Sequence, residues 1–273
     1  GGYYINHISS SVLKEAVKAE ERSVLQLREN IKSALMPYID MSQDVYLNKK
    51  LVQYFNWSYT NPGASAEGFY MELEPLITKY HNLRPEIGRI TIYTKNRTML
   101  ANNSEIAYLD EDSAEGEMYK EAVKYKGKIL WRYQISNDGR NYIQLYRILN
   151  LNNLEIGMLV MNIPESQLYQ YIKEESEEDE VYIVGPGNLI KDSEFTEESY
   201  NSLRNNLKVL SASIDLGYNS PDKWKIVKAY PVKRLLSEVN ASKIRGLIIL
   251  IFVLSFAAIM ALVFSDNLSK RIN

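Results

Sequence analysis

The sequence predicts an α+β chain with a long N-terminal helix, two modules built on antiparallel sheets, and one C-terminal transmembrane helix. Three observations carry this prediction. Apolar residues recur at helical spacing between residues 8 and 38, strand-like alternation begins after residue 85, and residues 246–265 contain no charge and no proline. A helix of about twenty apolar residues is long enough to cross roughly 30 Å of hydrocarbon.

The C-terminal apolar run has one alternative interpretation, a buried helix of a large soluble domain. Such helices are shorter and keep a polar face, whereas the most polar residue in 246–265 is serine. We therefore predict a transmembrane helix within residues 241–265 that contacts the lipid bilayer through residues 246–265. Residues 266–273 would begin a segment on the other side of the membrane.

The charges around this run do not orient it in the membrane. Lys243 and Arg245 precede it and Lys270 and Arg271 follow it, so the positive-inside rule gives a tie. The chain begins at Gly1 without an initiator methionine or a signal peptide. We expect an earlier membrane segment to precede it in the full-length protein.

The composition excludes several kinds of function. The chain has 32 Lys and Arg against 34 Asp and Glu, a formal net charge of −2, so no basic surplus indicates a nucleic-acid partner. It has no cysteine, and its two histidines, His7 and His81, have no second ligand at metal spacing. We predict no metal and no other cofactor. Because nucleophile-elbow and P-loop motifs are also missing, we expect no enzymatic activity in this chain.

Tyrosine is unusually frequent, with 21 residues against six phenylalanines. Aromatic rings with a polar tip suit half-hydrated pockets and surfaces. The compositional bias of an AT-rich genome would produce the same excess, so both interpretations stay open.

The first sixty residues are predicted to be mostly helical. The apolar stripe from Ile8 to Tyr38 indicates one long helix that Pro37 ends or kinks. Asp40-Met41-Ser42 is typical of a helix cap, with a second helix from Gln43 to about Trp57 and a third from Ala64 to Tyr80. A long helix has little stability alone, so its stripe packs either on a partner helix in a coiled coil or on the chain's own sheet.

A first sheet is predicted after residue 85. Its central hairpin turns at Asn137-Asp138-Gly139-Arg140, and its last strand is apolar on both faces, which indicates a sheet covered on both sides. The predicted elements are a strand from Ile87 to Thr94, a short strand near Met99, a helix from Ser113 to Lys126, and strands from Lys128 to Ile135, Asn141 to Leu149 and Glu155 to Ile163.

A second, smaller module is predicted after the acidic run from Glu174 to Glu180, which is either a solvated loop or a cation site. Its predicted elements are strands from Val181 to Val184 and Leu189 to Lys191, a short helix from Glu197 to Leu207, strands from Lys208 to Leu216 and Trp224 to Tyr230, and a helix from Val232 to Ile244. That last helix continues into the apolar run. The predicted divisions are helices 1–60, first module 61–165, second module 166–240, transmembrane helix 241–265 and linker 266–273.

This order of elements resembles the double Cache, PAS-like sensor domains of bacterial receptors, in particular the extracellular sensor domains of Gram-positive, YesM-like sensor histidine kinases. The resemblance covers nearly the whole chain, and the segment from Ser265 to Asn273 resembles the entry to a HAMP linker. The stretches that carry it are S-Q-D-V-Y-L-N-K-K-L at 42–51, W-R-Y at 131–133, Y-I-Q-L-Y-R-I-L at 142–149, L-E-I-G-M-L-V-M-N-I-P at 154–164 and W-K-I-V-K-A-Y-P-V-K-R-L-L at 224–236.

The resemblance implies a function. It implies the extracellular ligand-sensing domain of a two-component histidine kinase in the cell membrane, passing a ligand-induced shift through the transmembrane helix to a cytoplasmic HAMP and kinase. Implied partners are a small-molecule ligand, a second copy in a homodimer, and a cytoplasmic response regulator for the full-length protein. The alternatives are the sensor domain of a chemoreceptor or another membrane-bound regulator, and a membrane-anchored extracellular adhesion or assembly module.

The resemblance also places the ligand in the membrane-distal module, between residues 61 and 163. The arginine-tryptophan-tyrosine signature of amino-acid-binding Cache domains is not visible, which argues against an amino-acid ligand. Aromatic residues on neighbouring strands and on the helix before them would form a cup with hydroxyl groups. The candidate ligand-binding residues are Tyr119, Trp131, Tyr133, Tyr142, Tyr146 and Arg147.

Two of these candidates have a competing interpretation. Arg147 lies on the opposite strand face from Tyr146 by alternation, so it joins the cup only across a β-bulge. Trp131 and its neighbours are alternatively ordinary core residues, because a buried tryptophan is more often packing than a ligand contact.

Overall fold

A computed structural model gives the fold of the chain. The residues that it describes are 2–135, 140–151, 154–173, 180–185, 188–190, 207–217, 220–231, 237, 240–241, 244–257 and 260.

The chain begins with one helix, α1, that runs from Gly2 to Leu47 and contains Pro37 in its interior. The predicted end at Pro37 and the predicted cap at residues 40–42 are therefore wrong. The apolar stripe continues beyond the proline, and the contacts of its later residues offset the lost backbone hydrogen bond. The helix breaks at Asn48 instead, whose side chain accepts a hydrogen bond from the backbone of Leu51 and caps α2, Lys49–Asn56.

Three helical pieces follow where one helix was predicted. They are α3, Pro62–Gly68, a π-helical turn, Phe69–Leu73, and α4, Glu74–Leu83. Pro75 has no backbone N–H, and the change in hydrogen-bond spacing falls just before it.

The first sheet has five strands in the order β2-β1-β5-β4-β3. The strands β3, β4 and β5 form the predicted meander, and β1 pairs antiparallel with β5. The predicted strand near Met99 is wrong, because the second strand forms later and pairs parallel with β1. The bounds are β1 Ile90–Thr94, β2 Ile106–Tyr108, α5 Ala114–Lys124, β3 Leu130–Ile135, β4 Asn141–Leu151 and β5 Leu154–Pro164.

The second sheet has four strands in the order β7-β6-β9-β8, all paired antiparallel. A short helix, α6, connects the two sheets along the chain. The bounds are α6 Ser166–Lys173, β6 Glu180–Gly185, β7 Asn188–Ile190, β8 Leu207–Ile214 and β9 Trp224–Pro231. Several predictions lie outside the described residues, namely the turns at 136–139 and 186–187, the acidic run 174–179, the helix at 197–206, most of 232–243, and the linker 266–273.

The apolar stripe of α1 packs into the chain's own core. Its residues Val24, Leu27, Ile31 and Leu35 are at most 2% exposed and belong to a hydrophobic cluster that includes residues of both sheets. Of the two interpretations left open by the sequence, packing on the chain's own sheets is the one observed. Burial of such side chains stabilises by about 1.5 to 3 kcal/mol each.

Residues 244–257 are helical and exposed. Within the described part of the chain, no helix meets the combined length and hydropathy that a bilayer crossing requires. The predicted run 246–265 also includes residues outside the described ranges.

Candidate functional site

The register of β3 against β4 decides which candidate residues share a face of the first sheet. Trp131 lies opposite Leu145, and Leu130 lies opposite Tyr146. Directly paired residues point to the same side of a sheet, and successive residues alternate. Trp131 and Tyr146 are therefore on opposite faces.

The prediction that the aromatic candidates form a single cup is therefore wrong, because they lie on two faces of the sheet. Trp131, Tyr133 and Arg147 lie on the face covered by α1, whereas Tyr142 and Tyr146 lie on the other face. Tyr119, on α5, packs in a second hydrophobic cluster with Tyr146. The physical reason is the parity of the connection between β3 and β4, since a change of one residue in register exchanges the two faces of a strand.

On the face of the first sheet that α1 covers, the candidate residues Trp131 and Tyr133 pack as part of the core. Trp131 is 3% exposed, and its ring meets that of Trp224 edge-to-face at a centroid distance of 5.5 Å. Burial, and after it the nearby Glu165 carboxylate, raise the pKa of Tyr133 to about 12. These residues pack between the sheet and the elements that cover it.

Arg147 ties α1 to the first sheet. Its Nε donates to the Gly127 carbonyl at 2.6 Å, and its Nη1 donates to the Gln43 side-chain oxygen at 2.8 Å. The guanidinium carbon lies 3.8 Å from the centroid of the Tyr46 ring. A planar cation with several fixed donors fits such a site better than lysine would. Arg147 therefore fixes the position of α1 on the first sheet.

The α5 face carries two buried tyrosines with carboxylate partners. The helix starts at the Ser113 cap, and it brings the Tyr119 hydroxyl to 3.0 Å from Glu155 Oε2. The Tyr146 hydroxyl donates to Glu121 Oε2 at 3.0 Å. Burial is the largest cause that raises the pKa of both hydroxyls, followed by these hydrogen bonds to carboxylates. Both groups are protonated hydrogen-bond donors at neutral pH.

Beyond this aromatic part, the α5 face carries a row of polar side chains that we call the polar row, formed by Arg132, Gln144 and Asn162. Gln144 lies opposite Arg132 on β3 and opposite Asn162 on β5. Gln144 Nε2 donates to Asn162 Oδ1 at 3.0 Å. Gln144 is 7% exposed, whereas Arg132 is exposed to solvent. The row therefore runs from a buried amide to a solvated cation.

The polar row has an aromatic side chain and a glycine backbone beside it. Half-buried Tyr142 lies on the same face, two residues along β4 from Gln144. Gly88 donates its backbone N–H to the Asn162 carbonyl, and a Cβ at Gly88 would lie 2.9 Å from that oxygen and 3.3 Å from the Tyr142 ring. The close approach of the backbone requires glycine here. Guanidinium and amide groups together recognise carboxylate, hydroxyl or amide groups of a ligand.

Sequence reasoning missed the polar row as a unit. A signal was present, because polar residues occupy alternate positions of strands that are otherwise apolar. The pairing of Arg132 with Gln144 and of Gln144 with Asn162 depends on register, which the strand patterns alone do not specify. Among the described residues, no cluster of three or more His, Asp or Glu side chains is arranged to hold a metal ion.

Comparison with known proteins identifies this fold. No protein-family model and no curated protein matches the chain. Solved structures do match: the sensory domain of the Campylobacter jejuni chemoreceptor Tlp3 with isoleucine bound has 10% identity and a TM-score of 0.55, over 84% of this chain and 98% of that one. The extracellular domain of the putative histidine kinase vpHK1S-Z8 has 12% identity and a TM-score of 0.55, over 84% and 96%.

A third similar structure is the ligand-binding domain of the Pseudomonas fluorescens chemoreceptor CtaA in complex with L-isoleucine, at 11% identity and a TM-score of 0.52, over 85% of this chain and 98% of that one. These neighbours are a sensory domain and a ligand-binding domain of two chemoreceptors and the extracellular domain of a histidine kinase. Their fold is the one that the resemblance to Cache domains implies. The chain is therefore similar to bacterial sensor domains over most of its length.

Proposed function

We propose that this chain is the extracellular ligand-sensing part of a membrane-bound sensor histidine kinase. The observation that carries the proposal is the polar row, an arrangement of a cation and amides beside an aromatic wall on one face of the first sheet. Small-molecule sites combine an apolar wall with few placed polar groups in this way. The fold shared with sensory domains of receptors supports it.

The ligand site in this proposal lies between the first sheet and α5. The polar row orients the ligand, and Tyr119, Tyr142 and Tyr146 line the apolar wall. Trp131, Tyr133 and Arg147 act from the α1 face, by holding the strands that carry the row. Two neighbouring structures hold isoleucine, so aliphatic amino acids belong among the first compounds to be tested.

The remaining parts of the proposal concern the membrane and the output. The sensor is extracellular, residues 246–265 cross the bilayer of a Gram-positive cell, and residues 266–273 enter a HAMP linker. A homodimer passes the signal to a cytoplasmic kinase and its response regulator. We retain the divisions at residues 60, 165, 240 and 265. A cysteine at Ser193 should react with an impermeant reagent on intact cells, and one at Ser269 should not.

A chemoreceptor is the second candidate function. It is favoured by the two chemoreceptor sensory domains among the similar structures. The sequence that follows Asn273 distinguishes the two candidates, because a histidine kinase carries a kinase and an ATPase domain there, whereas a chemoreceptor carries a signalling helix bundle.

Thermal unfolding in the presence of a compound panel tests the ligand site. The panel consists of the twenty amino acids, small carboxylic acids and sugars, added singly to the purified chain. We expect at least one compound to raise the melting temperature, because a ligand that binds only the folded state stabilises it. Arg132→Ala should abolish that rise, whereas Lys128→Ala, which removes an exposed cation just before β3, should leave it intact. A rise that Arg132→Ala and Gln144→Ala both retain in full would exclude the polar row.

A further inference from the structure

The first sheet contacts the second module through the backbone of its edge strand. β3 is an outer strand of the five-stranded sheet, so its outward amides lack a strand partner. The N–H of Trp131 donates to Asp222 Oδ2 at 2.7 Å. Asp222 lies just before β9. A carboxylate of the second module thus accepts the hydrogen bond of a backbone N–H at the edge of the first sheet.

The same place holds a pair of buried aromatic rings. The rings of Trp131 and Trp224 meet at 83° with their centroids 5.5 Å apart, and the two residues are 3% and 2% exposed. Edge-to-face geometry is the favourable arrangement for such a pair. Because Trp224 is the first residue of β9, the hydrogen bond and the ring contact both join β3 to the beginning of that strand.

Both indole groups leave a polar atom unsatisfied. Trp131 Nε1 and Trp224 Nε1 are buried and have no hydrogen-bond acceptor within the described ranges. A buried donor without an acceptor weakens the state that contains it. The contact of Trp131 with Asp222 and Trp224, which we call the junction, is therefore less stable than its burial alone would make it. Low local stability is typical of contacts that change during function.

The junction is adjacent to the polar row in one direction and to α1 in the other. Arg132 follows Trp131 directly and points to the opposite face of β3 by alternation, into the polar row. Further along β9, Lys228 lies 3.0 Å from Glu20 of α1. A shift of β3 at the polar row thus has a contiguous contact path to β9.

We propose that the contact of Asp222 and Trp224 with Trp131 is the regulatory junction that transmits occupancy of the polar row to β9. This inference rests on the proposed ligand site. Asp222 acts as a positioning residue, because it fixes β9 to the strand that carries Arg132. Transmission requires two arrangements of the junction that bind the ligand with different affinity.

A double-mutant cycle read by hydrogen exchange tests the junction without a ligand. Gln144→Ala disturbs the polar row, since it removes the hydrogen bond to Asn162. In the otherwise unchanged chain, we expect it to change the amide exchange rates of residues 224–230 by about twofold or more, the lower end of coupling between linked residues. Asp222→Ala should remove this effect of Gln144→Ala.

Two control variants separate positioning from simple destabilisation. Asp222→Asn keeps a side-chain oxygen that accepts the Trp131 N–H, so it should preserve the effect. Asp215→Ala removes a carboxylate that accepts a local hydrogen bond from the backbone N–H of Gly217 at 2.8 Å, and should also preserve it. If Asp222→Ala does not fold, Trp224→Phe takes its place in the cycle.

The outcomes distinguish this inference from the ligand-site proposal. An effect of Gln144→Ala on the exchange of residues 224–230 that persists unchanged in Asp222→Ala overturns the junction, as does no effect in the otherwise unchanged chain. Neither result depends on whether a compound binds. The ligand-site proposal fails by a separate result, a ligand-induced rise in melting temperature that Arg132→Ala and Gln144→Ala both retain in full.

Discussion

The side-chain nitrogen of Lys228 lies 3.0 Å from Glu20 Oε2, and this ion pair joins the last strand of the second sheet to α1. Lys228 also donates to Ser23 Oγ at 3.0 Å. The lysine side chain is 2% exposed and the glutamate 14%. With Arg147 on the first sheet, each sheet is thus tied to the long helix by one buried cation. Buried pairs of this kind depend on both partners, because one charge left alone is costly.

Glu20→Ala should lower the free energy of unfolding by about 3 to 5 kcal/mol, since it removes the carboxylate that lies 3.0 Å from the buried ammonium of Lys228. Replacing both residues, with Lys228→Met and Glu20→Leu, should recover most of that loss. Urea denaturation of Glu20→Ala and of the double variant measures both effects. The exposed pair Lys79 and Asp44, also 3.0 Å apart, is the control, because Asp44→Ala should cost at most about 1 kcal/mol. Equal losses for Glu20→Ala and Asp44→Ala would show that burial does not set the cost.

Pro37→Ala should stabilise the chain by up to about 3 kcal/mol, because alanine restores the backbone donor that a helix interior requires. Pro37 is half-buried on α1, so the smaller side chain loses little packing. Thermal and urea unfolding measure the change. A lower melting temperature for Pro37→Ala would mean that the proline ring packs more favourably than the missing hydrogen bond costs.

Trp131→Ala should cost roughly 3 to 5 kcal/mol of stability, the range for truncating a large buried aromatic. Its ring lies in the core cluster below the sheet and against Trp224. Tyr142→Ala, on the half-buried opposite face, should cost less and should mainly reduce ligand-induced stabilisation. Urea denaturation with and without a bound compound separates the two. If Trp131→Ala lowers the free energy of unfolding only slightly but abolishes ligand-induced stabilisation, Trp131 contacts the ligand.

Asp222→Asn should raise stability at neutral pH. Burial raises the pKa of Asp222 above its ordinary value, although the Trp131 N–H partly opposes this. A carboxyl group with a higher pKa in the folded state destabilises that state wherever it is ionised. As the pH falls through the folded-state pKa towards about 3.9, the ordinary value, this penalty disappears.

The advantage of Asp222→Asn should therefore shrink in the same pH range. Urea midpoints from pH 4 to pH 8 for the unmutated chain and the variant measure this dependence. Asp215→Ala, in an exposed position, controls for general effects of net charge. An advantage that stays constant with pH would exclude titration of Asp222 as its origin.

The sequence by itself determined the elements that local pattern specifies. The alternation of β3, the hairpin turn that follows it and the apolar run of β5 predicted three antiparallel strands, and the structure places them within two residues of their predicted bounds. The stripe of α1 likewise predicted a long amphipathic helix. Side-chain periodicity carries this information because it reports which residues must be buried together.

Tertiary structure decided the relation between those elements. Pro37 is tolerated inside α1 because Tyr38, Ile39, Met41 and Val45 beyond it are buried in the core, a gain that local propensity does not contain. Lys228 and Glu20 are far apart along the chain, and no periodicity links them. Their pairing exists only once β9 has packed on α1.

The tertiary structure also decided which aromatic candidates share a face of the first sheet. Within each strand, alternation correctly grouped Trp131 with Tyr133 and Tyr142 with Tyr146. Which groups share a face depends on whether Trp131 pairs with Leu145 or with Tyr146, a difference of one residue. Strand pattern is identical for both pairings, and the packing of α1 and α5 on opposite faces selects between them.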